Sequence, residues 1–168
     1  LSHTFRVFLY GNGQYEPEGI LVNEKIPSVN SDAITIEVLH KMLSIINTSV
    51  NSHLCWIMHE HTFILIRKLQ FENNYFHSII EGKTLLGYNV YFISEMSTPY
   101  AFIGDNPCVV GLLDTKNAYT FVIGPESSKR IESPYHATIC TFKRIGGKIM
   151  NQLSIVKLNL NQKLTLEE

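Results

Sequence analysis

The sequence contains no run of basic residues, no C-x-x-C pair, no apolar stretch of membrane-helix length and a single tryptophan. Each absence removes a class of function. With 14 Lys and Arg against 15 Asp and Glu the formal net charge is −1, and no Lys/Arg cluster marks a free-standing nucleic-acid binder. Cys55, Cys108 and Cys140 are far apart and odd in number, so neither a disulfide framework nor a zinc site is indicated. Cys55 and Cys140 lie inside apolar runs, where a reduced thiol acts as a small core side chain. No span approaches the roughly 18 apolar residues of a membrane helix, and the first residues lack the basic-then-apolar pattern of a signal peptide. Catalytic signatures are missing as well: there is no G-x-S-x-G elbow, no H-E-x-x-H and no P-loop lysine. Gly11-Asn12-Gly13 is not a phosphate loop, because Gln14-Tyr15-Glu16-Pro17 follows where a helix would have to start. Asp105, after Gly104, reads as a turn former. Lys143, Arg144 and Lys148 read as solvated surface.

What is present is enough for a folded core. A chain of 168 residues, 45% hydrophobic and 17% charged, has the composition of one globular domain, which buries roughly 70% of its unfolded surface. Phe5, Phe8 and Leu9 have helical spacing, and Gly11-Asn12-Gly13 ends that helix. Ser31 or Asp32 serves as N-cap for an amphipathic helix carrying Thr35, Val38, Leu39, Met42, Leu43, Ile45 and Ile46 on one stripe, which ends near Asn47. Leu54-Cys55-Trp56-Ile57-Met58 has no alternation and suits a strand covered on both faces. His59-Glu60-His61-Thr62 then starts a second helix that runs through about Leu69. Residues 84–96 and 100–105 read as two strands around the break at Pro99. Residues 108–113 and 119–123 are strands joined by the turn Asp114-Thr115-Lys116-Asn117, and Gly146-Gly147 is expected to form a tight two-residue hairpin. Residues 154–158 make a last strand. The result is a mixed α+β domain with a β-rich C-terminal third.

Four separated motifs carry a resemblance. Leu9-Tyr10-Gly11-Asn12-Gly13 with Pro17-Glu18-Gly19-Ile20-Leu21 resembles the glycine-rich turn that follows the spine helix of tailed-phage major capsid proteins of the Hong Kong ninety-seven type. Trp56-Ile57-Met58 followed by Thr62 is similar to that family's strand-to-helix step. Leu85-Leu86-Gly87-Tyr88-Asn89-Val90, then Met96 and Gly104-Asp105, resembles its "LLG" segment, with Asn89 where the family usually has proline. Val156-Lys157-Leu158-Asn159 is similar to its closing strand.

The resemblance implies a phage major capsid fold: a central mixed sheet flanked by helices, comprising the axial domain and part of the peripheral domain. It implies a fragment lacking the N-terminal arm, the extended loop and most of the spine helix. Residues 1–22 correspond to the end of the spine helix and its turn, 23–123 to the axial core, and 124–168 to a β-rich return to the peripheral domain. The implied role is a non-catalytic shell subunit that assembles with copies of itself into pentamers and hexamers. Scaffold or portal proteins are possible partners, the virion and the bacterial cytoplasm are the implied locations, and no cofactor, metal, membrane or sequence-specific nucleic acid is implied. Asn73, Asn74, Tyr75, Phe76, Ile79 and Ile80 are the expected subunit contacts, because apolar groups on an excursion of this kind mark association sites. The alternatives are a small metal-dependent hydrolase using His53, His59 and His61, or a host-recruited interaction domain. Against the metal, His59 and His61 are two residues apart, not the four that put two imidazoles on one helical face.

Overall fold

A computed structural model describes residues 2–46, 53–72, 80–125, 127–132, 137–142 and 144–165. In chain order the elements are α1 (Ser2–Tyr10), β1 (Ser28–Ser31), α2 (Ile36–Ile45), β2 (Leu54–Met58), α3 (Glu60–Glu72), β3 (Ile80–Glu81), β4 (Thr84–Leu85), β5 (Tyr88–Phe92), β6 (Cys108–Asp114), β7 (Tyr119–Ile123), β8 (Ser127–Glu132), β9 (Ala137–Phe142), β10 (Ile145–Ile149) and β11 (Ile155–Leu160). Seven strands form a mixed sheet in the order β1-β11-β6-β2-β5-β4-β3, and two ribbons, β7–β10 and β8–β9, stand apart from it. Within the sheet β2 runs parallel to β5 and antiparallel to β6. Strand β11, which falls in the expected peripheral return of residues 124–168, lies between β1 and β6 in this sheet.

Sequence chemistry explains the layering. Every residue of β2 and of β6 is buried, as continuous apolar strands require when both faces are covered. On one face Trp56, Met58, Val110, Leu112 and Val156 pack with Leu39 and Met42 of α2 and Phe63 and Ile66 of α3. On the other, Cys55, Ile57, Leu113 and Ile155 pack with Leu9 of α1 and with Ile20, Leu21, Ile26 and Ile149. The N-cap of α2 is Thr35, whose Oγ1 accepts from the Val38 N–H at 3.3 Å, and not Ser31 or Asp32. Ser31 is the last residue of β1 and its hydroxyl donates to the Ala33 carbonyl.

Three further expectations change. Residues 100–105 do not form a strand; Ile103 and Asn106 make a single bridge there, around Gly104 with φ of 60°. Residues 84–96 are not one strand: a tight two-residue hairpin turn at Leu86-Gly87, with φ of 51° and 82°, divides them into β4 and β5, which ends at Phe92. Those left-handed values are what a turn matched to strand twist needs. Gly146-Gly147 instead lies inside β10, paired with Val122 and Phe121 of β7. At Gly147 the strand passes too close to a ring for a side chain. A Cβ on Gly147 would sit 2.4 Å from Cε1 of Tyr119, while at Gly146 the nearest atom is 4.0 Å away. Glycine in a strand often marks such a close approach. Gly147→Ala is therefore expected to lower the melting temperature more than Gly146→Ala, because the ring it displaces is wedged against Phe8 and Phe121. Thermal unfolding of the two variants side by side checks this.

Candidate functional site

The histidines are not brought together as a metal shell. His53 precedes β2 and His59 follows it, so six residues of extended chain separate them by about 20 Å. His59 and His61 have ring centroids 4.7 Å apart, but the contact has a local explanation. The Nδ1 of His59 accepts from the His61 N–H at 3.1 Å and the His59 carbonyl accepts from the Thr62 and Phe63 amides, so His59 caps α3. The His53 carbonyl accepts from the Thr115 amide and hydroxyl, fixing the start of the β6–β7 turn. Among the described residues no group of three or more His, Cys, Asp or Glu side chains could hold a metal ion.

Nor are Cys55, Cys108, Tyr10 or Tyr119 activated as nucleophiles. Burial pushes the Cys55 thiol up to about 11 and the Cys108 thiol up to about 12. A thiol shifted in that direction stays protonated near neutrality and reacts poorly. Burial likewise raises Tyr10 and Tyr119 to about 12. Tyr10 donates to the Glu95 carbonyl at 2.7 Å, and Tyr119 to the Glu18 carbonyl at 3.2 Å, so each hydroxyl ties α1 or its turn to another part of the chain.

What the surface does offer is uncovered apolar area on the two ribbons. Ile131 is 52% and Ile139 69% exposed on β8 and β9, and Phe121 is 60% and Val122 61% exposed on β7. A two-stranded ribbon alone is at best marginally stable in water, and among the described residues β8 and β9 pair only with each other. Beside β7, an apolar pocket of about 180 Å³ lies between α1 and the central sheet, walled by Phe8, Ile20, Ile57, Leu113, Tyr119 and Phe121. Of the subunit contacts expected from sequence, Asn73, Asn74, Tyr75, Phe76 and Ile79 lie outside the described residues. Ile80 is the first residue of β3, paired with Leu85. The ribbon residues went unrecognised because β8, Ser-Ser-Lys-Arg-Ile-Glu, has the composition of a loop. Its one signal is Ile131 alternating with charged neighbours.

The motifs quoted above are parts of this same framework, and the model of one family covers them all: the phage capsid family matches residues 3–160. The chain belongs to the phage capsid family. In three dimensions this capsid-family chain is similar to the capsid of an empty GTA particle, with a TM-score of 0.74 and 18% identity over 95% of this chain and 62% of that one. It is similar also to the capsid of a native GTA particle, with a TM-score of 0.76 and 17% identity over 96% of this chain and 61% of that one. The capsid-family chain thus spans about three fifths of the length of these structures. A comparison with curated proteins finds no match. At these identities the likeness establishes the fold, a mixed sheet with α2 and α3 on one face and the β4–β5 hairpin at its side.

Proposed function

We propose that this chain is the structural part of a shell subunit of a phage or prophage-derived icosahedral particle, associating with copies of itself into pentamers and hexamers. The observation that carries the reading is the family match over residues 3–160. It is supported by the apolar side chains that the β8–β9 ribbon leaves uncovered. A shell subunit needs many modest contacts and no reaction centre, and apolar side chains exposed on a ribbon are taken out of water when a neighbour packs on them. The division into residues 1–22, 23–123 and 124–168 belongs to this reading; β11, within the last of these, pairs with β6 of the middle one. Scaffold and portal proteins of the same particle are the further partners, and the virion is the site of action.

The test is electron microscopy and sedimentation of the full-length gene product, which are expected to show capsomers or closed particles. A product that stays monomeric at high concentration would refute the reading. Ile139→Lys is expected to reduce assembly at least about tenfold while shifting the melting temperature little, because a charge at an exposed position costs the monomer little and a desolvated charge costs an interface heavily. Light scattering against monomer thermal unfolding separates the two effects.

A further inference from the structure

The C-terminus of α1 has no cation of its own; its last turn contains no Lys, Arg or His. A helix end of that kind exposes carbonyls that need donors and favour positive charge. The returning chain supplies the donors. The Gly19 N–H donates to the Gly11 carbonyl at 2.9 Å, Ile20 to Phe8 at 3.0 Å and Leu21 to Leu9 at 2.9 Å. On its other side the same segment meets Lys157 of β11. Lys157 is 6% exposed, and its Nζ donates to the Leu21 carbonyl at 3.1 Å and to the Asn23 carbonyl at 2.9 Å. The titratable groups acting on it are Cys108 and Glu24. Leu21 is therefore gripped from both sides: its N–H holds the helix, and its carbonyl is held by an ammonium on the central sheet.

We propose that Lys157 is a latch whose charge, acting through residues 21–23, holds the C-terminal end of α1 in place on the central sheet. A neutral side chain of similar length would fill the same space without this grip. Among the described residues the other donor to the Leu21 carbonyl is the Asn106 side chain, at a longer 3.4 Å, and the Asn23 carbonyl keeps the Ile26 N–H, also at 3.4 Å. Without the ammonium both carbonyls fall back on weak partners, and residues 19–21 open more readily. Within the proposed shell the latch fixes the angle between α1 and the sheet. The inference itself stands on the chain's internal hydrogen bonds, so its failure would leave the shell reading intact.

Amide hydrogen exchange on Lys157→Met and Lys157→Arg tests it. In K157M the protection of the Ile20 and Leu21 amides is expected to fall about tenfold or more, the weight of a hydrogen bond to a charged group. Protection in β2 and β6 should change much less, and K157R should keep most of the protection at residues 20 and 21. Unchanged protection at Ile20 and Leu21 in K157M would overturn the proposal. So would an equal fall throughout β2 and β6, which would make Lys157 a packing residue only. If K157M does not fold, Lys157→Gln, which keeps a donor but no charge, is read by the same criteria.

Discussion

Gly11→Ala and Gly19→Ala are each expected to destabilise the chain by more than about 3 kcal/mol, against about 1 kcal/mol for Gly13→Ala. The ordering follows from what surrounds each residue. A Cβ on Gly11 would lie 2.0 Å from the Pro17 carbonyl oxygen and 2.5 Å from that of Val7; one on Gly19 would lie 2.6 Å from the Gly11 nitrogen and 2.7 Å from the Leu9 oxygen. These are backbone atoms, and the Val7 and Leu9 carbonyls and the Gly11 nitrogen belong to the hydrogen bonds that close α1, so relief of the clash disturbs the bonds of residues 19–21 to the helix. The orphaned carbonyls of Phe8 and Leu9 then add their own penalty. At Gly13 the situation differs: φ is 73°, which disfavours a side chain, but the nearest atoms are at an ordinary 3.7 Å. Urea unfolding of the three variants measures the series. Equal effects at all three positions would show that the tight crossing of the two glycines is not what the motif preserves.

The second large effect is at Trp56. It is fully buried on the face covered by α2 and α3, and its Nε1 donates to the Leu85 carbonyl at 2.8 Å. Trp56→Ala is expected to cost about 4–5 kcal/mol through lost burial and the cavity left behind, enough to unfold much of a domain whose total stability is of order 5–15 kcal/mol. Trp56→Phe separates the two roles. It keeps much of the volume but leaves the Leu85 carbonyl without the indole donor, and is expected to cost about 1–3 kcal/mol. The loss should concentrate in the β4–β5 hairpin, because Leu85 pairs with Tyr88 across the Leu86-Gly87 turn. Exchange rates of the hairpin amides, compared with those of β11, check that localisation. A uniform change would assign Trp56 to packing alone.

Local chemistry made parts of this arrangement legible. The continuous apolar run from Leu54 to Met58 announces a strand covered on both faces, and β2 is buried throughout. The stripe of Leu39, Met42 and Ile46 announces the buried face of α2. The turn after β6 is visible in Asp114, whose carboxylate accepts from the Lys116 N–H at 3.1 Å and the Asn117 side chain at 2.8 Å. Where the reading failed, the deciding partner was remote. Gly146-Gly147 has the composition of a turn, and only pairing with Val122 and Phe121 of β7 makes it a strand. Leu86 does not look like a residue for a left-handed turn, yet the side chain of Trp56 holds the carbonyl of Leu85 just before it. Thr35 prevailed over Ser31 as a cap because Ser31 is committed to pairing with Leu160.

The sequence by itself determined that the chain folds into a mixed α+β domain, where its buried strands and helix stripes lie, and through its ordered motifs which family it belongs to. These are properties of residue type and near-neighbour spacing, which act over a few positions of chain. Only the tertiary structure decided that α1 is closed by residues 19–21, that Lys157 grips those residues from a strand some 135 positions later, and that Ile131 and Ile139 are left facing outward. Hydrogen bonds and burial between distant segments depend on how the chain returns on itself, and that return has no periodicity for a sequence to display.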